Sequence, residues 1–232
     1  MAVDAAPVDL QARLLDFPIQ TRATLPFRVV RGAVRIALRA LFRIEVEGLE
    51  NLPRGNAVIV ANHLGWADAV VLLCRLPARP RLHVIGEILG LSERTRSFVR
   101  SVGGVIPVDR ARHGDGALLE HVDICLRQGA SLLLFPEGRT GEREGEVLPF
   151  HKGFAHFATG AGVPVVPVGI SGTLELWLRR RIRVVVGEPI ATAGVDVDTL
   201  TELARDRVAA LLPPVAPQRG PRLMRRRLST LF

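Results

Sequence analysis

The chain contains few of the residues that build disulfide frameworks or base-stacking surfaces. It has no tyrosine and only 5% aromatic residues, which disfavours a surface that stacks the bases of single-stranded nucleic acid. Its two cysteines, Cys74 and Cys125, are too few for a disulfide framework or a metal site, so we expect two reduced thiols in the core. We also expect no metal ion and no cofactor.

Long apolar segments are also missing. The longest charge-free run, residues 153–174, contains five glycines, two prolines and a histidine, and its Val-Pro repeats are typical of strand. The N-terminus has no basic start followed by an apolar segment, so no secretory signal is evident. We therefore expect a protein that faces the cytoplasm and lies on one leaflet at most.

A single α/β domain fits the length and the composition. The chain has 232 residues, and 48% are hydrophobic, which allows a full core and excludes general disorder. Apolar runs of strand length alternate with helical patterns, which predicts an α/β layered fold with a mixed or largely parallel sheet between helices. We divide residues 1–232 into a helix at 24–42, a core at 43–212 and a Pro/Arg-rich tail at 213–232.

The predicted elements of the core follow these runs. Strands are expected at residues 43–47, up to His63, and at 81–85, 105–109, 131–135, 165–170 and 182–186. Helices are expected before Arg75, at 88–100, 114–128 and from Gly153, and at 196–212.

Positive charge dominates the chain and is concentrated near its two ends. The net charge is +8, and Lys152 is the only lysine. Five arginines follow helical spacing along one stripe, opposite an apolar side: Arg28, Arg31, Arg35, Arg39 and Arg43, against Val29, Val30, Ala33, Ala37, Ala40 and Leu41. Such a basic amphipathic helix suits an anionic membrane surface. The alternative is a helix packed on the core with a solvated basic face.

The tail allows the same two interpretations as the basic helix, membrane contact or solvation. Residues 213–232 combine arginines with leucine, methionine and phenylalanine, so the segment could bind lipid or remain solvated. Nucleic acid is the competing partner for so much positive charge, but no helix-turn-helix, zinc-finger or RNA-binding signature is present. We do not expect nucleic-acid binding.

The most informative stretch is residues 61–68, where His63 and Asp68 follow a predicted buried strand. A carboxylate on one imidazole nitrogen orients the ring, so that the other nitrogen can take a proton from an alcohol. Positions five apart on one helix point about 140° away from each other, so the pair requires His63 in a turn and Asp68 in the following helix. Gly65 permits that turn. The alternative is a capping aspartate beside a surface histidine.

Further polar groups end two other predicted strands. Residues 104–110 read G-x-I-x-V-D-R, and residues 135–138 read F-P-E-G. Together with N-H-x4-D at 62–68 and V-P-V-V-P-V at 163–168, these ordered motifs resemble the lysophospholipid acyltransferase family, best known for 1-acylglycerol-3-phosphate acyltransferases. The resemblance covers about residues 43–190. Ionisable groups at several strand ends are also typical of a ligand site at the edge of an α/β sheet.

The resemblance implies acyl transfer from a thioester to a hydroxyl group of a lysophospholipid acceptor. His63 and Asp68 are then the catalytic pair, and Arg110 holds the acceptor's phosphate. Glu137, Gly138 and Arg139 belong to the substrate-binding loop, with Lys152 and His151 as further contacts to phosphate or donor. The donor is acyl-coenzyme A or acyl carrier protein, and the enzyme lies on the cytoplasmic face of the cell membrane.

Each residue has an ordinary structural alternative. Arg110 could be a solvated charge at a strand end, and Glu137 could cap a helix or pair with an arginine. Asn62 could be a turn residue that supports the His63 loop. Residues 135–141 read F-P-E-G-R-T-G where the family commonly has F-P-E-G-T-R-S, and Gly65-Trp66 replaces a frequent small hydroxyl residue. These departures leave the acceptor open.

Three functions are compatible with these residues. The first is acylation of 1-acyl-sn-glycerol-3-phosphate to phosphatidate. The second is acylation of another lysolipid, such as a lyso-ornithine lipid, by the same pair. The third is a non-catalytic membrane-binding protein on this fold, against which the presence of both His63 and Asp68 argues. Hydrolysis is a minor fourth possibility, because the sequence has no G-x-S-x-G nucleophile motif.

Overall fold

The computed structural model describes residues 17, 19–87, 92–108 and 116–213. Seven strands lie in this part of the chain: β1 (Arg43–Glu47), β2 (Val58–Ala61), β3 (Leu82–Gly86), β4 (Val105–Pro107), β5 (Ser131–Leu134), β6 (Val165–Ser171) and β7 (Arg181–Val186). The helices that accompany them are α1 (Leu25–Leu41), α2 (Ala67–Arg75), α3 (Glu93–Val102), α4 (Gly116–Arg127), α5 (Gly153–Ala161) and α6 (Val197–Leu211).

One mixed sheet joins all seven strands in the order β1-β7-β6-β2-β5-β3-β4. The five strands from β6 to β4 are parallel to one another, whereas β7 pairs antiparallel with β6 and parallel with β1. Every residue of β2 and β5 is buried. Since both faces of these strands are covered, they appear in the sequence as continuous apolar runs. The predicted α/β class with a mixed or largely parallel sheet is confirmed.

Helices cover both faces of the sheet and give it two cores. Ile59 and Leu133 face the core that includes Leu72 of α2 and Leu38 of α1. Their strand neighbours on the opposite face pack with Phe154 of α5 and Leu200 of α6. This alternation follows from the two-residue period of a strand, and it places α1 and α2 on the same side of the sheet.

Helix α1 is bounded by local signals and exposes its apolar side. The Thr24 hydroxyl accepts the backbone N–H of Phe27, and the chain becomes extended at Phe42. Large apolar side chains remain uncovered, with exposed fractions of 72% for Leu25, 62% for Val29 and 72% for Ile36. Buried Phe27 and Leu38 attach the helix to the core. Within the described residues, no helix has both the length and the hydrophobicity needed to cross a membrane.

The arginine stripe of α1 differs from the predicted solvated or lipid-facing row. Arg31 turns inward, and its Nε and Nη2 donate to the carbonyl oxygens of Leu73 and Leu76 at 3.0 and 2.5 Å. These are end groups of α2 that no helical N–H satisfies. Arg43 lies outside the helix, because β1 begins there and pairs with β7. The predicted tail lies beyond the described residues, apart from Pro213.

Both cysteines are free and buried, as predicted. Burial is the main cause that raises the pKa of each thiol, and the pKa of Cys125 reaches about 12.

A tight turn follows β6 and depends on glycine. Gly172 has a φ of +90°, and a Cβ atom there would lie 2.2 Å from the carbonyl oxygen of Arg181. Its N–H donates to the carboxylate of Glu144 at 3.0 and 3.1 Å. Arg180 also reaches Glu144, with 3.2 Å between Nη2 and Oε1. The turn is therefore anchored to the loop that follows β5.

We expect Gly172→Ala to lower the free energy of unfolding by at least about 3 kcal/mol, because the left-handed backbone penalty adds to a clash with backbone. Gly129→Ala is the matched control: Gly129 also has a positive φ, but an added Cβ there meets nothing within 4 Å. The control should lose only about 1 kcal/mol. Urea unfolding of the two variants measures the difference, and equal losses would contradict the steric explanation.

Candidate active site

His63 and Asp68 meet at the carboxyl end of β2. The strand ends at Ala61, the chain turns through Gly65, and Asp68 lies in the first turn of α2. This is the turn-then-helix arrangement that the spacing requires. The distance from His63 Nδ1 to Asp68 Oδ2 is 2.8 Å. When Nδ1 carries the proton and donates it to Asp68, Nε2 is left as the basic nitrogen.

Asp68 also holds the turn in which His63 lies. The side chain is fully buried, and its Oδ2 accepts the backbone N–H groups of Leu64 and Gly65 at 2.6 and 2.8 Å. Asp68 therefore organises the backbone before α2 as well as pairing with His63, but it is not the capping residue of the predicted alternative, because the N-cap of α2 is Trp66. The His63 side chain keeps 16% exposure, so a substrate can reach the ring from the sheet edge.

Phe135 packs against one face of the His63 imidazole, a contact that the sequence did not predict. The two rings are stacked, with centroids 4.2 Å apart and an angle of 17° between their planes. Phe135 directly follows β5, and β5 pairs with β2. Its place at a strand end just before Pro136 was the available signal, but only the strand order shows that it faces His63.

Asn62 connects the site to the neighbouring strand. The side chain is fully buried, its amide donates to the carbonyl of Ile170 at 2.9 Å, and its oxygen accepts the N–H of Ile170 at 2.8 Å. The paired contact replaces two ladder hydrogen bonds where β2 ends beside β6. Asn62 therefore positions the chain immediately before His63.

The loop after β5 packs over the same turn. The N–H of Gly141 donates to the carbonyl of His63 at 2.7 Å. Gly138 has a φ of +67°, and the ring of His151 lies 3.0 Å from where its Cβ would be. A side chain at Gly138 would thus be strained and would displace His151. Glu144 attaches the middle of this loop to Gly172.

Glu137 is a buried carboxyl group beside the pair, with 4% of the residue exposed. Burial is the main cause that raises its pKa to about 7, and the charges of Asp68 and Glu146 raise it further. The N–H groups of His63 and Leu148 lie near enough to oppose this shift, but neither forms a well-aligned hydrogen bond with the carboxylate. Among the described residues, no arginine pairs with Glu137, and neither of its carboxylate oxygens has a hydrogen-bond partner.

The other predicted substrate contacts lie at the surface or outside the described residues. Arg139 is exposed on the loop after Gly138. Lys152 also lies at the surface, where its Nζ is 2.6 Å from Oδ1 of Asp198. The structure therefore brings together His63, Asp68, Asn62 and Glu137, and it gives Lys152 a different partner. Arg110 lies outside the described residues.

Glu137 should make stability depend on pH. Its carboxyl group binds a proton more tightly in the folded protein than in the unfolded chain, so its stabilising contribution is complete below pH 4.5 and is lost as pH rises through about 7. Glu137→Gln removes this titration. Between pH 5 and pH 8 the native protein should lose stability relative to Glu137→Gln by an amount on the order of 2 kcal/mol. Urea unfolding of both proteins at pH 5 and pH 8 measures the free energies of unfolding. An equal change between the two pH values in the native protein and in Glu137→Gln would contradict this.

Comparison with known proteins gives consistent matches. The family model described as Acyltransferase matches residues 43–171. The human 1-acyl-sn-glycerol-3-phosphate acyltransferase alpha is 31% identical over 182 residues, which cover 72% of this chain and 61% of that protein. The chloroplastic 1-acyl-sn-glycerol-3-phosphate acyltransferase LPAT1 of Arabidopsis thaliana is 31% identical over 192 residues, which cover 75% of this chain and 50% of that protein.

A solved structure also matches. The crystal structure of the 1-acyl-sn-glycerophosphate acyltransferase PlsC from Thermotoga maritima aligns with a TM-score of 0.67 and 25% identity, covering 79% of this chain and 77% of that chain. The alignments with the human and Arabidopsis relatives span 61% and 50% of their lengths. Since the family model matches more than half of the chain, the protein belongs to the acyltransferase family that includes the 1-acyl-sn-glycerol-3-phosphate acyltransferases.

Proposed function

We propose that the protein transfers a fatty acyl group from an acyl thioester to the free hydroxyl of a lysophospholipid. The acceptor that we propose is 1-acyl-sn-glycerol-3-phosphate, which would give phosphatidate. The relatives that match carry this activity in their names. The donor would be acyl-coenzyme A or acyl carrier protein.

The observation that carries the proposal is the 2.8 Å contact between Nδ1 of His63 and Asp68. It holds the ring with Nε2 available, at a point where the side chain is partly open to solvent. Nε2 would take the proton of the acceptor hydroxyl as its oxygen attacks the thioester carbonyl. The C–S bond then breaks, the leaving thiolate takes that proton, and the buried Asp68 stabilises the transient imidazolium.

Neighbouring residues suit the acceptor. Glu137 has a pKa of about 7 beside His63. Near neutral pH its carboxyl group can therefore donate a hydrogen bond to a glycerol oxygen when protonated, or accept one from a glycerol hydroxyl when ionised. Arg139 lies exposed on the same loop, and the resemblance assigns phosphate to Arg110. Lys152 would have to leave Asp198 to bind a substrate phosphate.

The exposed side of α1 supports membrane association. Leu25, Val29 and Ile36 form an uncovered apolar stripe, with arginines beside it on the same helix. Such a helix can lie in the interface with its apolar side among acyl chains and its arginines at the headgroups. We therefore propose a monotopic enzyme on the cytoplasmic face of the membrane, where the lysolipid acceptor is present.

His63→Ala should lower kcat by about 10²- to 10⁴-fold, the usual contribution of a general base. Purified protein, labelled acyl-coenzyme A or acyl carrier protein, and dispersed 1-acyl-sn-glycerol-3-phosphate would be assayed for phosphatidate. His156→Ala is the matched control, because His156 is exposed on α5. Full activity of His63→Ala would contradict the base. Product from lyso-ornithine lipid alone would contradict the acceptor, and no product from any lysolipid would favour the non-catalytic alternative.

Replacing Leu25 and Ile36 by glutamine should weaken binding to phospholipid vesicles by about tenfold or more, because each exposed side chain would contribute more than ~1 kcal/mol on insertion. Leu119→Gln is the control: Leu119 is 51% exposed on α4, on the opposite face of the sheet. Vesicle co-sedimentation measures the partition. Equal losses in the control and in the α1 variant would show that this stripe does not enter the membrane.

A further inference from the structure

A cationic cavity lies between α1 and the loop that follows α2. It has a volume of about 550 Å³, and no acidic residue lines it. Four arginines from the two elements form much of its wall: Arg28, Arg31, Arg35 and Arg79. Guanidinium groups suit phosphate because each can donate two parallel hydrogen bonds to it. A concave wall of several arginines is therefore a candidate anion site.

No carboxylate in the described part of the chain balances the positive charge of this wall. Within the described part of the chain, none of Arg28, Arg35 and Arg79 forms an ion pair with a carboxylate. Arg31 is fixed at the wall by the α2 carbonyls of Leu73 and Leu76. Burial and then the charge of Arg35 lower the pKa of Arg31. Arginine side chains carry a positive charge in proteins, so a bound anion would relieve the mutual repulsion of this wall.

Gly32 gives the cavity room on the α1 side. It lines the cavity in the middle of the helix, and a Cβ atom added there would meet nothing within 4 Å. Glycine is unfavourable inside a helix, and here no neighbouring atom requires it for close packing. A larger side chain at this position would instead occupy the space in front of the arginines.

The cavity is separate from the His63 site. Helix α2 has nine residues, begins beside Asp68, and ends where the cavity loop starts; its length is about 13 Å. A second, largely apolar cavity of about 230 Å³ shares Pro77 and Arg79 with the first and reaches the beginnings of β2, β3 and β5. The two cavities thus lie toward the amino-terminal edge of the sheet, whereas His63 follows the carboxyl end of β2.

We propose that the cationic cavity binds the phosphate of an anionic phospholipid, at a site distinct from the acyl-transfer centre. The lipid source is favoured over free phosphate by two neighbours. One is the apolar cavity, and the other is the exposed stripe of Leu25, Val29 and Ile36, which lies about a quarter of a turn from Arg28 and Arg35 around α1. If this stripe enters the membrane as proposed above, the arginines lie at the depth of the headgroup phosphates.

Calorimetric titration with short-chain dihexanoyl phosphatidylglycerol, below its micelle concentration and at fixed ionic strength, tests the site. This lipid is neither acceptor nor product of the proposed reaction, and the variants replace residues of the cavity that lie outside the His63 site. Arg35→Gln and Arg79→Gln should each weaken binding by about tenfold, as expected for loss of a charge-assisted contact. Dihexanoyl phosphatidylcholine and inorganic phosphate are titrated beside it.

Two matched variants separate a defined site from a diffuse positive field. Arg39 lies on α1 and is exposed, but it does not line the cavity, so Arg39→Gln should change the affinity by less than about twofold. Gly32→Leu keeps every charge but places a side chain in the cavity in front of the arginines, so it should weaken binding. Thermal unfolding followed by circular dichroism checks that each variant is folded.

The outcomes are distinct. Weaker phosphatidylglycerol binding by Arg35→Gln, Arg79→Gln and Gly32→Leu, with Arg39→Gln unaffected, supports the site. Equal losses in Arg35→Gln and Arg39→Gln, or normal binding by Gly32→Leu, would show only a diffuse field and overturn it. Inorganic phosphate or phosphatidylcholine binding as tightly as phosphatidylglycerol would overturn the anionic-lipid assignment, as would no binding at all. Acyl transfer is not measured in these titrations, so they can fail while the proposed function stands.

Discussion

The site depends on the burial of one carboxylate. Oδ2 of Asp68 forms hydrogen bonds with Nδ1 of His63 and with the backbone N–H groups of Leu64 and Gly65. A buried charge is costly unless hydrogen bonds compensate it, so burial of Asp68 requires both the turn and the orientation of the ring. Asn62 then fixes this turn to β6, and Gly141 attaches the loop after β5 to it. The geometry of the proposed base is thus part of the folding of the turn itself.

Helix α2 connects the turn that carries His63 to the arginines of α1. Its first turn holds Asp68, and its last carbonyls accept hydrogen bonds from Arg31 of α1. Both helices pack on the same core. The helix that we propose to lie on the membrane is therefore joined through one short element, α2, to the turn that carries His63. If α1 lies on the membrane as proposed, this connection would set the height of His63 above the lipid surface.

Much of the fold could be predicted from the sequence because its central strands are buried on both faces and appear as uninterrupted apolar runs. The His63–Asp68 arrangement was also predictable, since the five-residue spacing and Gly65 allow few geometries. The stacking of Phe135 on His63 was not predictable, because it requires β5 to lie beside β2. Periodicity likewise did not show that Arg31 would turn inward, since its partners are carbonyls about forty residues away along the chain.

The two buried cysteines have a practical consequence for work on this protein. Only the thiolate reacts rapidly with electrophiles and disulfides, and burial raises the pKa of both thiols. The folded protein should thus give a low background with colorimetric thiol reagents, so coenzyme A released from a thioester can be followed continuously in a spectrophotometer. A single cysteine introduced at the surface would also take a fluorescent or spin label selectively, without prior removal of the native pair.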